Sequence, residues 1–248
     1  MTRVAVVTGG ASGIGLGVAR RLVADGHAVA VLDRNGSGAK AAVEELRAGG
    51  GTATAREVDV ADWSDVGAAF ADVREQLGPV SILVTSAGIE AFDPLLDITP
   101  ARWDQILSVN LTGTFACCQA AVPDMIEAGW GRIVTISSQS AQSGAPNMAH
   151  YSASKGGVIA LTKSLAVDLA RKGITVNTIA PSIVDTPMAR AATESGDFPG
   201  LDVIAPMIPL GRAGTPDDIA AACSYLCSED GGSYITGQLL AVNGGMYI

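Results

Sequence analysis

Histidine and cysteine are scarce in this chain of 248 residues, which has two of the first and four of the second. Cys117 and Cys118 are neighbours in one apolar stretch, and Cys223 and Cys227 share a helical face with no His or second Cys pair to complete a zinc spacing. They read as small buried hydrophobes, so no metal site is expected, and a reducing cytoplasm suits them. Basic residues are also in deficit. Lys and Arg number 16 against 25 Asp and Glu, a net charge of -9, and no basic run interrupts that balance. Nucleic acid and anionic membrane surfaces are therefore excluded as natural partners. Also missing are an h-region followed by a cleavage site and an 18-residue apolar span. The expectation is an unprocessed cytoplasmic chain with no membrane segment, whose start at Met1 runs straight into a strand. No repeat, low-complexity tract or linker divides it.

What is present is regular. Seven short apolar, β-branched runs recur, at Val4 to Thr8, Ala28 to Leu32, Thr52 to Val58, Ile82 to Thr85, Ile133 to Ser137, Ile174 to Ile179 and Leu239 to Val242. Most lack polar alternation, the mark of strands covered on both faces, and Ala- and Leu-rich helical segments between them supply the crossovers. The helices are expected at about 13–25, 37–48, 62–77, 99–128, 150–172 and 215–228, the last opened by a capping Thr215 and by Pro216 at its first position. This alternation predicts an α/β fold with a doubly wound parallel sheet of seven strands. From Pro181 to Gly211 the periodicity weakens and prolines gather. Residues 182–211 are accordingly expected to form a mobile substrate segment within a single domain spanning 1–248.

The expected carboxyl ends of the strands carry the chemistry. The first delivers Thr8-Gly9-Gly10-Ala11-Ser12-Gly13-Ile14-Gly15 directly into a helix, where bare backbone amides and the positive end of the helix dipole can receive a pyrophosphate. The second ends at Asp33, 18 residues after Gly15, a position suited to hydrogen-bonding an adenosine ribose and to repelling a 2′-phosphate. NAD is therefore favoured, with NADP as the alternative because Arg34 follows. Later ends deliver Asp59-Val60, Ser86-Ala87-Gly88, Ser138 and Pro181 to Thr186, all on the edge where open sheets bind ligands. Asp59 reads equally well as a helix cap, and Ala87-Gly88 as a plain turn. Tyr151 and Lys155 stand four apart, so both leave one helical face and the ammonium can favour the ionised phenol.

Together these residues resemble the short-chain dehydrogenase/reductase family, with its TGxxxGxG loop and YxxxK motif, and particularly its 3-oxoacyl-[acyl-carrier-protein] reductase-like members. The resemblance covers essentially the whole chain and implies a Rossmann-type sheet. It assigns the cofactor to Gly9, Ser12, Gly13, Ile14, Gly15, Asp33, Arg34, Asp59, Val60, Ser86, Ala87, Gly88, Tyr151, Lys155, Pro181, Val184 and Thr186. It implies catalytic roles for Asn110, Ser138, Tyr151 and Lys155. Tyr151 would be the acid or base, and Lys155 would hold the nicotinamide ribose and, with the positive charge of the oxidised ring, lower the Tyr151 pKa. Ser138, thirteen residues before Tyr151, would polarise the carbonyl, and Asn110 would hold a water or, alternatively, satisfy a helix bend. Two positions depart from the family pattern. Thr85-Ser86-Ala87-Gly88 replaces Asn-Asn-Ala-Gly, and Pro181-Ser182 replaces Pro-Gly.

The expected function is NAD(H)-linked interconversion of a secondary alcohol, such as a hydroxyacyl-CoA or a cyclic or small hydroxy compound, with its ketone. An NADPH-dependent 3-oxoacyl-[acyl-carrier-protein] reductase is the second reading, and an idle dinucleotide-binding protein a remote third. Pocket walls are expected from Ile89-Glu90, Gln139, Ser140, 144–150, Ser182-Ile183 and 188–207. His150 is expected at the surface or at a helix start. Surplus apolar residues on the helices near 99–128 and 150–172 suggest subunit packing, and the resemblance implies a homotetramer.

Overall fold

The computed structural model describes residues 2–248 and leaves Met1 outside. The chain runs β1 (Val4–Thr8), α1 (Gly13–Ala24), β2 (Ala28–Asp33), α2 (Gly36–Ala48), β3 (Ala53–Glu57), α3 (Trp63–Leu77) and β4 (Val80–Thr85). It continues through α4 (Pro100–Leu107), α5 (Gly113–Ala128), β5 (Gly131–Ile136), α6 (Ser140–Ser143) and α7 (Ala149–Leu169). After β6 (Ile174–Pro181) come α8 (Pro187–Glu194), α9 (Leu201–Ile204), α10 (Pro216–Cys227) and β7 (Leu239–Val242). The seven strands form one parallel sheet in the order β3-β2-β1-β4-β5-β6-β7.

Alternate side chains of β1 explain the apolar runs. Ala5 and Val7 enter one core with Val18, Leu22 and Ile219, while Val4 and Val6 enter another, on the opposite face, with Phe70, Met125 and Val176. With both faces covered, no residue of β1 is spared for solvent, and each buried Val, Leu or Ile contributes about 1.5–3 kcal/mol. The chain leaves β1 toward β2 on one side and returns from β3 to β4 on the other. That reversal opens a crevice at the carboxyl ends of β1 and β4, where the site is built.

Four expectations needed correction. The helix expected over 99–128 is interrupted by a π-helical turn, Ser108–Thr112, between α4 and α5. The continuous helical run Pro100–Ala128 also holds an 18-residue window of mean hydropathy 1.2, where the sequence reading found no such span. Part of its apolar surface faces the core: Ala116, Cys117, Cys118, Ala121 and Met125 of α5 are buried against the sheet. Third, α8 and α9 occupy the segment read as lacking periodicity. Thr186 caps α8 by accepting from the Ala189 amide at 3.2 Å, and Pro187 follows it. The same Thr-Pro signature that located α10 was present there but was outweighed by the proline content. Finally, Asp59 is no helix cap; that place belongs to Asp62, which accepts from Ser64 and Asp65.

Candidate active site

A cleft of about 920 Å³ runs along the carboxyl edge of the sheet. Its floor at one end is the turn from β1 into α1. Gly9 adopts φ +65°, and a Cβ there would lie 2.7 Å from the Ala87 backbone, so the turn can pack against the end of β4 only as glycine. A Cβ on Gly15 would collide with the carbonyl oxygen of Gly9. Ser12 precedes α1 without using its side chain as a cap, which leaves first-turn amides of the helix directed at the cleft. Thr8 ties the two strand ends together by accepting from the Ala87 amide at 3.1 Å.

Asp33, at the end of β2, is half-buried and already bonded twice. It accepts from the Ala11 amide at 3.0 Å and from the Asn35 amide at 2.8 Å, so it braces the glycine turn from behind. Each oxygen retains a further lone pair. Arg34 beside it is exposed and has no ion-pair partner among the described residues. Asp59 accepts from the Ala61 amide at 3.0 Å. Val60, Ser86, Gly88, Ile14, Gly13, Pro181, Val184 and Thr186 complete the lining at this end and the middle. The Thr186 hydroxyl serves as the α8 cap described above.

At the other end, α7 presents Tyr151 and Lys155 to the cleft, with Ser138 facing them from the end of β5. The Lys155 ammonium donates to the Ile136 carbonyl at 2.8 Å and lies 5.9 Å from the centre of the Tyr151 ring. Burial pushes the Lys155 pKa down to about 8. It also pushes Tyr151 up to about 12, with the charge of Glu90 adding to the rise and the Ser138 hydroxyl opposing it. The rise comes chiefly from the cost of burying a phenolate. Ser137, the neighbour of Ser138, is buried and donates instead to the Lys155 carbonyl at 2.9 Å.

Asn110 does not line the cleft. It sits in the π-helical turn, where its Oδ1 accepts from the Ile89 amide and its Nδ2 donates to the Ile89 carbonyl, both at 2.9 Å, and to Ser154 at 3.0 Å. The other predicted site residues all line the one cleft. His150 stands at a helix start, one of the two places expected, and not at the surface. It is fully buried at the start of α7, with Nε2 2.9 Å from Asp93, because Asp93 is brought to it from a loop 57 residues earlier. Asn147 and Phe198 line the cleft within the segments expected as walls, while Phe92 and Met246 also line it and carried no motif in the sequence. A cleft with uncapped helix amides at one end, a carboxylate at the end of β2 and a phenol with an ammonium at the other end fits a nicotinamide dinucleotide.

Comparison with known proteins agrees with that chemistry. The profile of a family described as enoyl-(acyl carrier protein) reductase matches residues 9–247. The chain is 41% identical to 3-oxoacyl-[acyl-carrier-protein] reductase MabA of Mycobacterium tuberculosis, over 99% of this chain and 93% of that protein. It is 40% identical to 3-oxoacyl-[acyl-carrier-protein] reductase FabG of Staphylococcus aureus, over 100% and 99%. Among solved structures, a substituted actinorhodin polyketide ketoreductase with NADPH superposes with a TM-score of 0.95 at 38% identity, covering 99% of this chain and 97% of that one.

Proposed function

This chain belongs to the short-chain dehydrogenase/reductase family and is an oxidoreductase that acts through an NAD(P) dinucleotide, and we propose that it interconverts a secondary alcohol and its ketone with NAD(H). The observation that carries the reading is the grouping of Tyr151, Ser138 and Lys155 at one end of the cleft whose other end is the glycine turn. When bound, the nicotinamide supplies the hydride donor or acceptor.

The chain's own residues supply the rest. Tyr151 gives its phenolic proton to the substrate oxygen in reduction and takes it back in oxidation. Burial favours the protonated phenol, the form that reduction uses, and oxidation uses the phenolate. Ser138 donates a hydrogen bond to the same oxygen, worth on the order of 10²–10³ in rate. Lys155, fixed by the Ile136 carbonyl, holds the ribose next to the reacting ring. Asn110 acts as a positioning residue by clamping Ile89 and, through Ser154, the first turn of α7. Residues 182–211 form the movable wall on the substrate side of the cleft.

NAD is favoured over NADP by Asp33, whose carboxylate, braced by two amides, would face a 2′-phosphate with like charge. A 3-oxoacyl-[acyl-carrier-protein] reductase remains the second reading, because two relatives near 40% identity carry that name. Against it stands the net charge of -9, a poor match for an acidic carrier. A homotetramer is supported by apolar side chains left exposed on α5 and α7, namely Phe115, Ile126 and Val167. A cytoplasmic location suits four free, buried thiols.

The deciding experiment assays secondary alcohols, ketones and 3-oxoacyl thioesters with NAD(H) and NADP(H) in parallel. The expected result is alcohol and ketone turnover with NAD(H) preferred by tenfold or more, roughly what one ribose hydrogen bond to a carboxylate can supply. Tyr151→Phe should abolish turnover and leave NADH binding nearly intact. A strong NADPH preference on 3-oxoacyl substrates, or normal activity of that variant, would overturn the reading.

A further inference from the structure

Glu90 lines the substrate end of the cleft alongside Ser138 and Tyr151. It is half-buried, and among the described residues no hydrogen bond or ion pair compensates its carboxyl. Burial alone raises its pKa. Surface carboxylates in this protein behave differently. Asp93, Asp185 and Asp218 are each held by an arginine.

The loop that carries Glu90 cannot easily withdraw it. On one side, Ile89 is gripped through both its amide and its carbonyl by Asn110, itself buried in the π-helical turn. On the other, the Asp93 amide donates to the Asn147 carbonyl at 2.8 Å, while the Asp93 carboxylate meets His150 at 2.9 Å and Arg102 at 3.0 Å. Asn147 holds φ 60°, a left-handed conformation that Asn tolerates better than most residues. A carboxyl pinned at both flanks, with open lone pairs directed into a cleft, is costly unless something in that cleft donates to it.

We propose that Glu90 is a specificity-determining residue that accepts a hydrogen bond from a second hydroxyl of the substrate, so that the site selects diols and hydroxyketones over monohydroxy and carboxylate-bearing analogues. This rests on the alcohol and ketone reading above and names its substrate class. A monohydroxy ring would leave the carboxyl desolvated and unpaired. An anionic substituent would meet it with like charge. A second hydroxyl satisfies it and, in doing so, fixes which carbon lies beside Tyr151. No covalent step involves Glu90; oxidation removes hydride from that carbon and leaves the alcohol proton on Tyr151.

The test uses a matched cyclic panel, comprising a vicinal diol, the monohydroxy compound, the amino alcohol and the carboxylate-bearing alcohol, with wild type, Glu90→Gln and Glu90→Leu. Wild-type kcat/KM should favour the diol over the monohydroxy compound by roughly ten- to a hundredfold, the range for a hydrogen bond to a charged group. In Glu90→Leu the ratio should collapse toward one, the diol falling and the monohydroxy compound rising. Glu90→Gln, which still offers a carbonyl oxygen, should lie between. NADH binding, followed by fluorescence, should match wild type in both variants and so report an intact fold. A wild-type ratio near one, a ratio that survives in Glu90→Leu, or a preference confined to the amino alcohol would overturn the assignment. Absence of turnover across the whole panel with NADH still bound is a different failure, which removes the alcohol reading itself and this inference with it.

Discussion

Lys155 carries an ammonium into a site that holds its pKa at about 8, against 10.5 for a solvated lysine. Between those values the unfolded chain binds the proton that the folded chain has lost, so stability rises with pH across that window, and the full cost of burial is felt below it. At about 1.4 kcal/mol per pKa unit the cost is on the order of 3 kcal/mol. Tyr151 contributes the opposite slope. Its folded pKa lies near 12 against 10.0, so its share of stability is present below 10 and is lost as pH climbs toward 12. The difference in denaturation free energy between wild type and Lys155→Met should therefore move in favour of wild type by up to about 3 kcal/mol from pH 8 to 10, the other titrating groups being common to both. Urea titrations of the two proteins at three pH values would measure it, and a difference that does not change with pH would contradict the assignment. The pairing of Tyr151 with Lys155 was legible because a spacing of four fixes a shared helical face. The direction of the phenol's shift was not, since it depends on how much of the folded chain closes around it. His150 and Glu90 show the same limit: each is defined by a partner, or by the absence of one, that the fold alone brings or withholds.

Among the elements, α10 was read from its local start signal, while α8 carried the same Thr-Pro signal but was obscured by the surrounding prolines, and the π-helical turn, governed by packing, carried none. Thr215 begins α10 with a full capping box, accepting from the Asp218 amide at 3.3 Å while the Asp218 carboxylate accepts from the Thr215 amide at 2.7 Å. Arg212 pairs with the same carboxylate at 2.7 Å. Thr215→Ala is expected to cost about 1 kcal/mol and to lower Tm by about 2–4 °C, readable by calorimetry. No change would mean that the Arg212 pair alone sustains the helix start. The π-helical turn inside the 100–128 run left no comparable mark. Its extra residue lets Asn110 face inward toward Ile89 and Ser154, an arrangement repaid only by contacts across the fold.

For the molecule as a whole, the apolar side chains left exposed on α5 and α7 are a feature that one chain does not satisfy. Val167 is 81% exposed and Ile126 41%. The proposed homotetramer predicts a sedimenting species about four times the 25.1 kDa chain mass. Val167→Glu together with Ile126→Glu should shift it to dimer or monomer, because each introduces a charge into an apolar contact. A monomer in the wild-type protein at micromolar concentration would end that proposal.

The succession of apolar strands and helices, the glycine turn and the spacing of Tyr151 and Lys155 were set by the sequence itself, because each follows from periodicity, local sterics or a short fixed interval. Only the tertiary structure decided that Asp33 braces the glycine turn, that Asn110 works as a clamp away from the cleft, that His150 is buried and that Glu90 stands unpaired beside Tyr151. Those outcomes depend on residues far apart in the chain being brought together, and on how much water remains between them.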